Sequence, residues 1–107
     1  MAIYADTPQP HVLARKLLHK LQVIAAPNRD KAFALADGSV FHCPMSSDTA
    51  RALTLRGEFP FHKILRTLLS AGDTFVDIGA NRGLGTLVAA RTVGMDGRVF
   101  AFEPSNR

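Results

Sequence analysis

Residues 72–83 read GDTFVDIGANRG, and this stretch sets the architecture of the chain. Its first part, residues 74–78, is a short apolar run between two glycines, which is typical of a buried strand in a parallel sheet. The residues after the second glycine form a compact turn. Residues 84–93 are then apolar and rich in alanine, which predicts a helix that ends at Gly94. We therefore expect a strand, a tight turn and a helix in direct succession.

A second strand is predicted immediately after this helix. Gly97 is a turn residue, residues 98–102 form another apolar run, and Pro104 stops that run because proline cannot donate to a sheet ladder. Two strands joined by one helix predict a right-handed βαβ unit with parallel strands. The carboxyl ends of both strands should then lie side by side at one edge of the sheet.

The beginning of the chain predicts a helix and then a β-hairpin. Apolar residues recur there at near-helical spacing, which indicates an amphipathic helix whose apolar stripe is a core or docking face. That stripe consists of Leu13, Leu17, Leu21 and Ile24. We expect Thr7 and Pro8 to begin this helix and Pro27 to end it. The Asp37-Gly38 pair between apolar runs predicts the hairpin, because both residues tolerate positive φ.

Two more helices are predicted between the hairpin and the first parallel strand. Residues 46–56 predict a short helix that is capped by Ser46 or Ser47 and broken at Gly57. Residues 59–69 predict another helix, which ends just before the next glycine.

The composition is that of one small globular domain. The chain has 107 residues, of which 47% are hydrophobic and 21% charged, and its net charge is +4. The basic residues are scattered without an aromatic-rich stripe, so we expect no nucleic-acid partner. The single cysteine, Cys43, cannot form an internal disulfide, which favours a reducing compartment and a cytoplasmic location. The sequence has neither an apolar run of membrane-spanning length nor a secretory signal pattern.

The turn between the predicted strand and helix has the features of a ligand-binding loop. Gly79 and Gly83 allow a sharp turn and the close approach of a ligand. Asn81 stands between them, and asparagine is one of the few residues that adopt left-handed conformation readily. The start of the following helix presents N–H groups and a partial positive charge, which suit a carboxylate or a phosphate.

Two acidic residues narrow the choice of ligand. Glu103 ends the second strand, so its carboxylate is expected beside the turn, where it can accept hydrogen bonds from two ribose hydroxyls. Asp77 lies at the entrance of the turn and suits an amino group. The G-x-G-x-x-G dinucleotide motif and the P-loop motif both fail to fit these residues. The D-x-G-x-N-x-G pattern therefore favours an adenosine-containing ligand with an amine that NAD does not have.

Residues 72–83, together with residues 94–104 (GMDGRVFAFEP), resemble the FkbM family of S-adenosylmethionine-dependent methyltransferases. The D-I-G-A-N-x-G and F-E-P segments carry the resemblance, which covers residues 71–104. It implies an α/β fold class, namely an incomplete Rossmann-like methyltransferase fold with one βαβ unit, preceded by an N-terminal helix and a β-hairpin. Residues 1–57 would hold that helix, the hairpin and the short helix. Residues 58–107 would begin the S-adenosylmethionine-binding domain.

The resemblance also implies a function and a site. The reaction would be O-methyl transfer from S-adenosyl-L-methionine to a hydroxyl of a small molecule or glycan. The glycine turn would line the methionine part of the cofactor, Asp77 would help to hold it, and Glu103 would bind the ribose. The implied cofactor-binding residues are Asp77, Gly79, Ala80, Asn81, Gly83 and Glu103. The family's sheet has more strands than this chain offers, so we expect an N-terminal fragment with no assignable catalytic base.

Other interpretations of the sequence stay open. The polypeptide is alternatively an inactive remnant or a small interaction domain without catalysis, or a fragment that binds NAD. His42 and Cys43 are neighbours, but one such pair does not supply a zinc ligand set, so we expect no metal and interpret Cys43 as a small strand residue. The remaining histidines, His11, His19 and His62, are interpreted as helix residues among polar neighbours. The oligomeric state is not predicted.

Overall fold

A computed structural model of the chain describes residues 10–26 and 28–105. In these residues helices and strands follow the order α1 Pro10–Ala25, β1 Asp30–Ala34, β2 Val40–Pro44, α2 Asp48–Arg56, α3 Pro60–Leu68, β3 Thr74–Ile78, α4 Leu84–Val93 and β4 Arg98–Phe102. The predicted α/β class, the N-terminal helix and the hairpin are confirmed. The predicted helix-capping and helix-ending positions Thr7, Pro8 and Pro27 lie outside the described residues.

The strands β3 and β4 pair in parallel, with α4 between them along the chain. Thr74 lies opposite Arg98 and Ile78 lies opposite Phe102. The three elements have the bounds that the sequence predicts. Gly94 (φ 69°) ends α4 and donates its N–H to the carbonyl of Ala90.

One face of this parallel pair is open, so the prediction of strands buried on both faces is wrong. Phe75 and Asp77 of β3 and Val99 of β4 are half-buried on the side where α4 packs, whereas the other residues of both strands are exposed. The large apolar side chains on the exposed face are Val76, Ile78, Phe100 and Phe102, and that of Ile78 is 84% exposed. The physical reason is that, among the described elements, no helix packs on that face of the strands.

The β-hairpin is confirmed, but its turn differs from the prediction. The antiparallel strands β1 and β2 run from the pair Asp30–Pro44 to the pair Ala34–Val40. Within the turn only Gly38 has a positive φ, of 80°. Asp37 instead accepts a hydrogen bond from the backbone N–H of Ser39 at 2.9 Å, which is the local side-chain bond that aspartate commonly makes in turns.

The hairpin, α2, α3 and α4 enclose one shared core. Ser47 caps α2 by accepting a hydrogen bond from the N–H of Ala50 at 3.0 Å, which confirms one of the two predicted caps. Arg66 of α3 forms ion pairs with Asp37 of the hairpin and with Glu58. The buried core residues are Leu35, Phe41, Cys43, Ala50, Leu53, Leu65, Leu84 and Val88. They come from both residues 1–57 and residues 58–107, so these two segments pack as one unit.

The helix α1 presents an unexpected face to the rest of the chain. The predicted apolar stripe of Leu13, Leu17, Leu21 and Ile24 is more than half exposed at every position, so its interpretation as a core face is wrong. The buried residue of α1 is His19, which the sequence places among polar neighbours. Helix α1 packs against α2, and the position of α2 determines which side of α1 is covered.

Candidate functional site

The loop between β3 and α4 has the backbone conformation that its sequence predicts. Gly79, Asn81 and Gly83 all have positive φ, of 82°, 53° and 81°. The N–H groups of Gly79 and Ala80 both donate to the carbonyl oxygen of Phe102, at 2.8 and 3.1 Å. These bonds anchor the loop on the end of β4. A Cβ atom added at Gly79 would meet nothing within 4 Å, so the loop is open on that side.

Glu103 lies directly against this loop. One carboxylate oxygen, Oε2, accepts a hydrogen bond from the backbone N–H of Asn81 at 2.7 Å. The other oxygen, Oε1, accepts from the N–H of Ser105 at 2.9 Å. The parallel pairing of β3 and β4 brings the two strand ends to one edge, so the acid and the glycine turn meet although they are separated along the chain.

The N-terminus of α4 opens into the same region without a capping side chain. Gly83 is the N-cap residue and makes no side-chain hydrogen bond, since it has no side chain. The N–H groups of the first turn of a helix have no partner within the helix and carry its partial positive charge. The end of α4 therefore offers polar backbone groups that suit an anionic part of a ligand.

One carboxylate oxygen of Asp77 is hydrogen-bonded to a side chain of α4. Its Oδ2 accepts a hydrogen bond from the hydroxyl of Thr86 at 2.6 Å, and its side chain is half-buried. A Cβ atom added at Gly85 would lie 3.7 Å from this oxygen and 3.7 Å from the ring of Phe61. Asp77 therefore lies next to the first turn of α4, and the ring of Phe61 lies close to the same turn.

A cleft that the sequence does not reveal lies beside the loop. It has a volume of about 210 Å³ and runs between the first turn of α3 and the start of α4. Besides loop residues Ala80 to Arg82, its lining comprises Thr49, Phe59, Phe61, His62, Leu84 and Gly85. This cleft extends the site beyond the residues implied by the glycine turn and Glu103.

His62 is the unexpected member of this lining. The side chain is only 3% exposed, and its Nδ1 atom is buried without a hydrogen-bond partner among the described residues. Burial lowers the pKa of His62; the charge of Glu58 opposes this change and that of Arg66 adds to it. The signal in the sequence is the spacing of His62 with Leu65 and Leu69, because positions i, i+3 and i+7 share one face of a helix.

The remaining sequence predictions concern metals and membranes. Cys43 is a buried residue of β2 with a free thiol, which confirms its interpretation as a strand residue. In the part of the chain that the structure describes, no three side chains of the metal-binding types come together as a ligand group. None of the helices in residues 10–26 and 28–105 has the length and apolar character that crossing a membrane requires.

Comparison with known proteins yields no relative: no family model, no curated protein and no solved structure matches the chain.

Proposed function

We propose that the chain carries the cofactor half-site of an S-adenosylmethionine-dependent methyltransferase with a Rossmann-like fold. The observation that carries the proposal is the hydrogen bond between the Glu103 carboxylate and the Asn81 amide. It joins an acid suited to ribose hydroxyls to a loop suited to the aminoacyl part of the cofactor. Adenosine and an amino acid group would then lie along one continuous edge of the strand pair.

The chemistry of the loop fits this cofactor. Gly79 and Gly83 have no side chain, and a Cβ atom added at Gly79 would meet nothing within 4 Å, so the loop leaves room for a ligand at the edge of the sheet. The uncapped N-terminus of α4 suits the carboxylate, and the carboxylate of Asp77 would orient the amine, directly or through water. When bound, S-adenosylmethionine supplies an electrophilic methyl group. The residues of this chain bind and orient it, and such positioning carries much of the catalysis of methyl transfer. A hydroxyl of a small molecule or glycan is the proposed acceptor.

Calorimetric titration of the full chain with S-adenosylhomocysteine tests the proposal, and NAD is the matched control because it also carries adenosine. We expect saturable binding of S-adenosylhomocysteine and at least about tenfold weaker binding of NAD, since NAD lacks the amine that Asp77 would orient. Equal or tighter binding of NAD would support the dinucleotide interpretation and reject ours.

An inactive remnant or a small interaction domain is the second candidate. The exposed apolar face of β3 and β4 favours it, because contiguous apolar patches on a protein surface commonly mark interaction sites. The same titration separates the interaction domain from our proposal, since a domain without the cofactor site predicts no heat of binding with either ligand. A cytoplasmic location stays a prediction that rests on the single cysteine.

A further inference from the structure

The cleft between α3 and the loop is small and mostly apolar. Its volume of about 210 Å³ lies below the roughly 300–1,000 Å³ typical of sites for drug-sized ligands, so it suits one ring rather than a whole ligand of that size. Ala80 and Asn81 form one wall, and these are also residues of the proposed cofactor loop. A group in the cleft would therefore lie next to the methionine end of the cofactor.

Three rings form the opposite wall of the cleft. The rings of Phe59 and His62 meet edge to face, with centroids 5.2 Å apart and an interplanar angle of 70°. The ring of Phe61 lies 6.3 Å from that of His62 and is exposed towards the opening. Aromatic walls of this kind bury apolar area against another ring, with geometry that favours offset or edge contacts.

The buried imidazole of His62 adds a polar group without a hydrogen-bond partner to this apolar wall. The unpartnered Nδ1 atom of His62 is buried, so a ligand hydroxyl in the cleft would reach it only after the imidazole ring rotates. A polar atom buried without a partner costs about 1–3 kcal/mol, and that hydrogen bond would recover the cost. A neutral imidazole has one donor and one acceptor nitrogen, and a hydroxyl group can also donate and accept. Because burial lowers the pKa of His62, the neutral ring predominates near neutral pH.

We propose that this cleft is the methyl-acceptor subsite, that it takes a single ring bearing a hydroxyl group, and that His62 hydrogen-bonds this hydroxyl. The inference rests on the proposed function for the role of the bound ring as acceptor. Arg82 also lines the cleft, but its side chain is exposed to solvent. We therefore expect the buried wall, rather than an ion pair with Arg82, to select the ligand, and that wall favours a neutral hydroxyl. Sugar rings and phenolic rings share this chemistry.

NMR titration of the full chain tests the subsite without requiring activity. The probes are phenol and methyl β-D-glucopyranoside, which separate the two sources of a ring hydroxyl, and toluene, which has the ring without the hydroxyl. We expect phenol or the glucoside to move the imidazole signals of His62 and the amide signals of Ala80 and Asn81. Toluene should move the signals of Phe61 and leave those imidazole signals in place.

Two variants examine the roles of the lining residues. The His62→Phe variant keeps a ring but removes the hydrogen bond, so it should weaken binding of the effective hydroxyl probe about tenfold and leave toluene binding within about twofold. The Phe61→Ala variant should weaken binding of both the hydroxyl probe and toluene, because it removes a ring from the wall of the cleft. The amide spectrum of each variant shows directly whether it is folded.

The results separate the subsite from the proposed function. If neither hydroxyl probe moves the His62 signals while S-adenosylhomocysteine binds, the acceptor subsite is rejected and the cofactor proposal stands. If a hydroxyl probe binds but S-adenosylhomocysteine does not, the cleft remains a ring-hydroxyl site and the methyltransferase proposal fails. If the His62→Phe variant loses affinity for phenol and for toluene by the same factor, the hydrogen bond assigned to His62 is rejected.

Discussion

The carboxylate of Glu103 and the backbone N–H of Asn81 are joined by a hydrogen bond of 2.7 Å across the ends of two parallel strands. Asn81 itself has left-handed backbone, with φ of 53°. The bond therefore holds the carboxylate of Glu103 next to Asn81, a residue whose positive φ is uncommon for residues other than glycine.

Removing the charge of Glu103 should weaken cofactor binding. We expect Glu103→Gln to raise the dissociation constant of S-adenosylhomocysteine about tenfold or more, because hydrogen bonds to a charged group are worth about 1.5–3 kcal/mol. Calorimetry measures the change. Asp96→Asn is the matched control, since Asp96 is an exposed turn residue before β4, at the opposite end of that strand. Equal affinities for both variants and the unaltered chain would reject the role of Glu103.

The hydroxyl of Thr86 should stabilise the fold through Asp77. The Thr86→Val change removes the 2.6 Å hydrogen bond and leaves a half-buried carboxylate oxygen with one partner fewer. We expect the free energy of unfolding to fall by about 1–2 kcal/mol, measured by urea denaturation. Thr67→Val is the control, because Thr67 is an exposed threonine of α3. This change should alter the free energy of unfolding by no more than about 0.5 kcal/mol.

Two glycines near α4 should respond in opposite ways to alanine. A Cβ atom at Gly97 would lie 2.8 Å from the carbonyl oxygen of Asp73 and would also overlap Val93, so Gly97→Ala should cost about 2–3 kcal/mol. At Gly85, inside α4, the nearest atoms would lie at an ordinary 3.7 Å. Gly85→Ala should therefore leave the stability unchanged or raise it by up to about 1 kcal/mol. Thermal unfolding of both variants checks the contrast.

Stability should fall as the pH falls below about 6.5, the ordinary pKa of histidine. Burial is the main cause that lowers the pKa values of His19 and His62 in the folded chain, so the unfolded chain binds more protons in that range. The contribution is fully present above the unfolded pKa and is lost as the pH falls towards the folded values.

Urea midpoints measured at about pH 7.5 and about pH 5.5 bracket this window. The His62→Gln variant should lose less stability between the two conditions than the unaltered chain. The His42→Gln variant, changed at an exposed position of β2, is the control. An identical loss in all three proteins would contradict the assignment to buried histidine.

The two faces of the parallel strands should differ in their tolerance of substitution. Ile78 is 84% exposed, so Ile78→Thr should change the free energy of unfolding by no more than about 0.5 kcal/mol. Val88 of α4 is completely buried, and Val88→Ala should cost about 2 kcal/mol because it leaves a cavity. A large loss in Ile78→Thr would show that the open face is covered in solution.

The order of elements and most of the loop geometry were predictable from the sequence. Short apolar runs bounded by glycine or proline define β3, α4 and β4, because neighbouring residues encode both the apolar pattern and the change of backbone conformation at its ends. The meeting of Glu103 with the glycine turn was also predictable, since parallel pairing brings strand ends to one edge. These features need no knowledge of distant parts of the chain.

Packing determined which faces are covered and which side chains share a cleft. The leucines of α1 and the residue Ile78 fit an apolar pattern, yet they are exposed because no other described element packs on them. His62 has a polar side chain but is buried, because the face of α3 that carries Leu65 turns it inward. Burial depends on elements that are distant in the sequence, so periodicity can define an apolar face without revealing what covers it.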